Sequence, residues 1–518
     1  MKLVKSLLLG SAAGLCAVAG AQAADLPMRK AAPVEYVRVC TAYGAGFFYI
    51  PGTDTCLRVG GRARFEYQYF SHYNRNTSNS AFRGLGRLNI DARTSTPYGT
   101  LRAFVRFEIA SRTGGQLKSG TQERYGNAFP ATGADTVGQI QKYVDVDKAF
   151  VQFAGLTAGR AQSFYDFYAA DLEFIAAGIY SNVNTNLLAY TATFGGGFSA
   201  TISMEDPAYR RNPIFAQGVL GAAGLAGAAP AAQSGINFLS GAVPVAAVGA
   251  AFNAAGVPVF AANLDVAQRS KLPDFVAALR YDAAWGSAQV SAAVHEINTG
   301  RFAGAAFATG VAGPAVTPLA LRIPDNTYGF AVQGGLKLNL PQLAPGDQLW
   351  LQGAYGEGAG SYTGVFGPPG SETITGNLGG RFDVSTIDAT VDARGNLNLT
   401  ESFSVMAALL HYWNPEYRSA VFGMYGQVNY DPRLRNANFG PPGVGALAAT
   451  SGLLRSYDVY YAGANLIWSP VRDLDIGVEV VYQRHEIANG RVANVDRPGT
   501  TATVNDNILA RFRVQRDF

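Results

Sequence analysis

Apolar and polar residues alternate one by one along most of the chain. In the stretch 57–69 the odd positions Leu57, Val59, Ala63, Phe65, Tyr67 and Tyr69 are greasy, whereas Arg58, Arg62, Arg64, Glu66 and Gln68 occupy even ones. Successive side chains of a strand point to opposite faces, so each such segment presents one apolar and one charged face. Leu88, Ile90 and Ala92 oppose Arg87, Asn89, Asp91 and Arg93; Leu101, Ala103, Val105, Phe107 and Ile109 oppose Arg102, Arg106 and Glu108. The rhythm predicts strands over 57–69, 85–94, 99–110, 142–154, 156–161, 187–194, 198–206, 273–282, 287–297, 328–340, 348–355, 384–399, 403–413, 456–468, 474–484 and 507–518.

A soluble sandwich would also alternate, and three features argue against one. Many of these strands reach ten residues or more, against roughly 5–6 in soluble sheets. Aromatic residues gather at strand ends, as in Phe65, Tyr67 and Tyr69 or Tyr457, Tyr460 and Tyr461. Short turns (96–99, 195–197, 284–286, 341–346, 469–473) alternate with long connections around 70–83, 112–140, 207–270, 299–326, 417–455 and 486–505. This is the asymmetry of a transmembrane antiparallel β-barrel of 16 strands, with periplasmic turns and extracellular loops. Closure leaves no strand edge unpaired in hydrocarbon. Between Asn212 and Leu264 there is no Asp, Glu, Lys or Arg, but Pro230, Pro244 and Pro258 break the run, which suits a low-complexity loop better than a bilayer helix.

Residues 1–23 carry Lys2 and Lys5, a short apolar core and Ala21-Gln22-Ala23, the pattern of a secretory signal peptide. The net charge is +4 and falls to +2 when the two lysines leave, too near neutral for a nucleic-acid binder acting by bulk charge. An N-terminal periplasmic segment, 24–56, then precedes the barrel at 57–518. The 32 residues from Ala24 to Thr55 are too few for the plug of an energised transporter. Cys40 and Cys56 are the two cysteines after the signal, so an oxidising compartment favours one disulfide, about 3 kcal/mol for a loop of that length. Two free thiols are the alternative. His72, His295, His411 and His485 lack metal-ligand spacing, and no catalytic or nucleotide motif stands in its required setting, so neither cofactor nor metal is expected.

Val39-Cys40-Thr41, the run from Gly44 to Arg58, Asp147-Lys148-Ala149-Phe150-Val151-Gln152-Phe153 and Ala158-Gly159-Arg160-Ala161-Gln162-Ser163 resemble the rhizobial-type general porins of alphaproteobacteria over nearly the whole mature chain. The resemblance implies a homotrimeric outer-membrane porin whose third extracellular loop folds into the barrel, surrounded by lipid and lipopolysaccharide. It also implies that the terminal Phe518 is read by the barrel-assembly machinery. The segment 212–264 is long for the loop it would occupy, and no role is carried onto it.

Sixteen strands leave an aqueous channel for small hydrophilic solutes and ions. Arg62, Arg64, Arg87, Arg93, Arg102 and Arg106 fall on the inward faces of three consecutive strands and predict a basic wall. Turning one toward lipid would cost about 2–4 kcal/mol near the midplane, which opposes a register slip. The same arginines could instead be absorbed by Glu66, Asp91 and Glu108 in a solvated network. The stretch 162–186 is the natural constriction loop, with Asp166, Asp171 and Glu173 among Phe164, Tyr165, Phe167, Tyr168 and Phe174. Folded inward, its carboxylates would face the arginines and set up a transverse field, a filter by size and polarity; otherwise they are exposed loop charges. An outer-membrane protease or lipase, or a closed adhesin or structural barrel, are the competing classes.

Overall fold

The structure, a computed structural model, describes residues 38–71, 79–113, 141–175, 178–221, 251–252, 258–265, 271–299, 326–366, 386–391, 396–431, 455–494, 497 and 500–518. The signal peptide expected at 1–23 lies outside them. Two compact units divide the chain, Met1–Leu57 and Arg58–Phe518.

In the first, Cys40 and Cys56 are disulfide-bonded with Cα atoms 5.9 Å apart. The strand Phe48–Tyr49 pairs antiparallel with Cys56 and Leu57, and Cys40 N–H donates to Phe47 O at 2.9 Å. The buried cystine packs on Phe47, a small core in a segment too short to build a larger one.

In the second unit the wall is formed by β1 Thr55–Phe70, β2 Ser80–Thr96, β3 Gly99–Thr113, β4 Gln141–Phe153, β5 Leu156–Gln162, β6 Asn184–Gly195, β7 Phe198–Glu205, β8 Asp274–Ala283, β9 Gly286–Ile297, β10 Thr327–Asn339, β11 Gln348–Glu357, β12 Glu401–Tyr412, β13 Tyr417–Asn429, β14 Tyr457–Val471, β15 Leu474–Ile487 and β16 Val504–Asp517. Each is hydrogen-bonded to its neighbour in the chain. β16 returns to β1, with Arg62 opposite Asp517 and Phe70 opposite Leu509, so the antiparallel ring of 16 closes. Gly61 and Phe518 exchange backbone hydrogen bonds at 2.8 and 3.1 Å, extending the seam to the last residue.

Register places the apolar set outside. Leu88, Ile109, Val144, Ile202, Val290, Val421, Val480 and Ile508 are exposed on the outer face. An apolar belt of this extent is tolerated against lipid, not against water. At the short-turn end it is bordered by Tyr98, Phe194, Phe198, Trp285, Trp413 and Trp468. Ring pairs there include Phe198 with Tyr281 at 4.4 Å and Tyr417 with Trp468 at 6.2 Å. Of the aromatics expected in the girdle, Tyr457 and Tyr461 instead point inward and are buried.

Two strand assignments change places. The expected strand 384–399 is absent from the wall; Ala389–Val391 and Leu397–Leu399 belong to a separate small sheet. Ile387, Asp388, Ala389 and Thr390 are all buried, so the alternation there separates two packed layers rather than lipid from water. Tyr417–Asn429, expected within a long connection, is wall strand β13. Its inward positions Phe422, Met424 and Val428 are apolar because they pack on an inner core, which erases the polar half of the rhythm. Within the expected 207–270 connection, Ile214–Gly221 pairs antiparallel with Pro258–Asp265 and parallel with Ala389–Val391.

Val480 lies outside, six residues from the Val471–Leu474 turn and opposite Ala464 and Ala510. Val480→Arg is expected to destabilise the barrel by about 2–4 kcal/mol, measured by reversible urea unfolding in phosphatidylcholine vesicles, whereas Arg at the inward position Gln483 should have a much smaller effect.

Candidate functional site

The inner face of β1, β2, β3, β4 and β16 carries a ladder of charges. Arg93 faces Arg102 across the β2–β3 pair, and both reach Asp91, at 2.8 and 2.9 Å. Arg87 pairs with Glu108. Arg106 donates to Asn89 Oδ1 at 2.8 Å and lies 3.3 Å from Asp147, which sits in the register shift opposite Arg106 and Phe107. Arg62 pairs with Asp517 at 2.6 Å, and Arg64 donates twice to Gln515 Oε1. The six arginines expected to be neighbours are therefore brought onto one wall, each with an acceptor.

The hub of this wall is Glu66. It is fully buried, paired with Arg83 and with Arg513 at 2.7 Å, with Arg511 at 3.6 Å and Arg64 at 3.8 Å. Gathering several guanidiniums around one carboxylate is stable only while the carboxylate remains ionised. Arg83 precedes the strand expected at 85, and the coupling of Arg511 and Arg513 to Glu66 follows from ring closure between segments some 440 residues apart, a contact no local pattern reports.

The chain enters the barrel over residues 163–175 and 178–183, with Ser163 N–H on Val183 O at 2.9 Å closing its neck. It runs along the inner wall, held mainly by its own backbone. Gln289, Ser291 and Gln333 donate to Tyr165 O; Tyr168 N–H donates to Gln352 at 2.9 Å; Asn465 donates to Leu172 O at 2.8 Å. Glu479 accepts from Phe174 N–H and Ile175 N–H at 2.6 and 2.7 Å, while Arg511 and Arg513 clamp Phe174 O at 2.5 and 2.7 Å. Phe167 and Tyr168 pack edge-on against Trp350, with centroids at 5.4 and 5.3 Å.

The three loop carboxylates diverge. Asp166 is buried beneath the loop and accepts from Ser181, Val183 N–H and Arg210, the last at 2.9 Å. Glu173 is buried with Tyr168 Oη donating at 2.5 Å. Burial, with a smaller push from Glu479, raises its carboxyl to about 8 despite that hydrogen bond. Asp171 is exposed, within electrostatic reach of Lys337 and Lys148. The expectation that all three face the arginine wall is thus met by a different placement: the loop reaches that wall through Phe174 O, and two of its carboxylates point into its own core.

A second inward segment was not foreseen. After β11 the chain forms one buried helical turn, α1 Gly360–Thr363, and Gly364 at φ +76° lets it lie against the Tyr180 backbone, where a Cβ would collide. Tyr362 packs on Tyr165 at 4.8 Å and beneath Arg210 at 4.0 Å, while its hydroxyl donates to Asp274 at 2.7 Å. Asn212 ties Asp388 to Ser361, at 3.0 and 2.9 Å. Small residues and a lone tyrosine between polar neighbours carry no periodic signal, so the sequence does not mark this element.

Residues 25–509 match the sequence model of the Porin subfamily, and the chain belongs to that family. Porin Omp2b of Brucella suis biovar 1 is 41% identical over 215 residues, covering 39% of this chain and 54% of that protein. The Omp2b of Brucella melitensis biotype 1 is 40% identical over 215 residues with the same shares. The chain spans about half the length of these curated relatives. The outer membrane channel DcaP of Acinetobacter baumannii shares the fold, with a TM-score of 0.51 and 14% identity over 91% of this chain and 99% of that one. Membership and the closed ring of 16 strands together make this an outer-membrane β-barrel of the porin family.

Two outcomes test this geometry. Glu66→Gln leaves Arg83, Arg511 and Arg513 without their shared counter-ion and is expected to lower stability by about 3–5 kcal/mol, read by urea unfolding. Glu173 has its folded pKa above the unfolded one, so its neutral form stabilises the docked loop fully below the usual carboxyl range, and that contribution is lost as pH rises toward about 8. Protease nicking of 163–183 in the assembled protein should rise between pH 6 and 9, and Glu173→Gln should flatten that rise.

Proposed function

We propose that this barrel is a diffusion channel for small hydrophilic solutes and ions across the outer membrane. The observation that carries the reading is the juxtaposition of a charged inner wall on β1–β4 and β16 with an inward loop that occupies the β9–β15 side of the same lumen. Sixteen strands enclose more space than wall side chains fill. The loop and the helical turn beside it narrow that space asymmetrically. A solute passing between them meets Asp171 on one side and arginines on the other, and trades part of its hydration for fixed dipoles. Small polar molecules can make that exchange; bulky or apolar ones cannot.

In this reading the 24–56 segment with its cystine is periplasmic, Phe518 is the signal for barrel assembly, lipopolysaccharide surrounds the outer belt, and three copies associate. Planar-bilayer recording of refolded protein tests channel and oligomer together: stepwise closure in three equal decrements is expected, and rapid sugar entry in liposome swelling separates a pore from a closed barrel. Replacing Arg62, Arg64 and Arg106 with Ala is expected to raise cation over anion permeability. An unchanged reversal potential would remove these arginines from the permeation path.

A further inference from the structure

The six wall arginines share one property: each already has an acceptor. A guanidinium fixed on a carboxylate or amide keeps its charge but is held in one place on the wall and cannot follow an ion. Two other cations differ. Lys148 points inward on β4, directly across from Arg106. Lys337 points inward on β10, beside its cross-strand partner Trp350, with Nζ 4.8 Å above that ring. Both are half-buried, and neither ammonium makes a hydrogen bond or ion pair with a described residue. The loop carboxylate exposed to the lumen, Asp171, lies within electrostatic reach of both. Its segment is pinned on either side by Tyr168 on Gln352 and Leu172 on Asn465.

We propose that Lys148 and Lys337 form the anion-binding step of the channel, taking small oxyanions of the carboxylate or phosphate class in competition with Asp171. The inference rests on the diffusion-channel reading above and deepens it. A lysine ammonium is a compact charge with three donors on a flexible stem, able to follow an ion over several ångströms and release it. The Trp350 face holds Lys337 without consuming those donors. Asp171 keeps residence short, because an arriving anion must displace a tethered carboxylate rather than water alone. The arginines set the fixed positive charge of the wall, and the two lysines add a step at which an anion is held.

The test uses the full-length refolded protein in planar bilayers in potassium chloride, with inorganic phosphate added and suppression of the chloride current measured. Lys148→Gln with Lys337→Gln is expected to raise the half-blocking phosphate concentration about three- to tenfold. Arg418→Gln with Asp475→Asn, which removes a paired cation and anion together at 2.6 Å, away from the two lysines, should leave it unchanged. Asp171→Asn, an isosteric change at an exposed site, should lower it and serves as the deciding variant where the lysine pair fails to assemble. Open channels whose phosphate block is the same with and without the lysines, or with and without Asp171, would overturn the proposal while leaving the channel reading intact. Channels that phosphate does not block at all would also overturn it. Absence of any conductance from the unmodified protein would instead fail the channel reading, and this inference with it.

Discussion

Hydrocarbon offers no partner to a peptide N–H or C=O, and from that one requirement most of this molecule follows. Each wall strand must bond on both edges, so the sheet has to return upon itself, and it does so where Arg62 to Phe70 meet Leu509 to Asp517. Once the ring is closed, side-chain direction is no longer free. One parity of every strand faces lipid and must be apolar; the other faces the lumen and can hold arginine. The charged ladder is thus a by-product of satisfying the backbone outside, concentrated on β1–β4 and β16 because there the lumen stays polar.

Elsewhere the lumen is not empty of protein, and the rule bends accordingly. On the β8–β15 side the inward residues Val276, Trp350, Met406, Phe422, Met424 and Val481 are apolar and buried, since they meet the inner loop instead of water. At these positions both faces of a strand are greasy, while Gln289, Ser291, Gln333, Gln352, Asn465 and Glu479 among them bond the loop backbone. The molecule therefore holds two kinds of interior, a polar one along the arginine wall and a packed aromatic one beneath the loop, divided by Glu66 and Glu479 with their partners.

This division explains what could be read from sequence. The phase of β1, β2, β3 and β16 was legible down to single side chains, because lipid and charge sit on opposite faces and the contrast between Leu88 and Arg87 is large. β13 was not legible, since Phe422 and Val421 are equally apolar though they face core and lipid. The expected and observed totals agree at 16 through compensation, the 384–399 segment standing in for β13. At the site, membership of the wall was legible and partnership was not. Asp166, Asp171 and Glu173 look alike in sequence, and only the folded loop separates a carboxylate bound to Arg210 from one shared with Tyr168 and one left in the open. Lys148 and Lys337 stand alone among neutral or oppositely charged neighbours, so neither draws attention as part of a cluster.

The grip on the inward loop falls largely on main-chain atoms: the carbonyls of Tyr165, Leu172 and Phe174 and the amides of Tyr168, Phe174 and Ile175. Such anchoring is indifferent to which residue supplies the atom, provided the path of the backbone is kept. The exposed positions of the loop, Asp171 among them, can accordingly change without loosening it, so the charge presented to the lumen can be altered while the frame stays as it is.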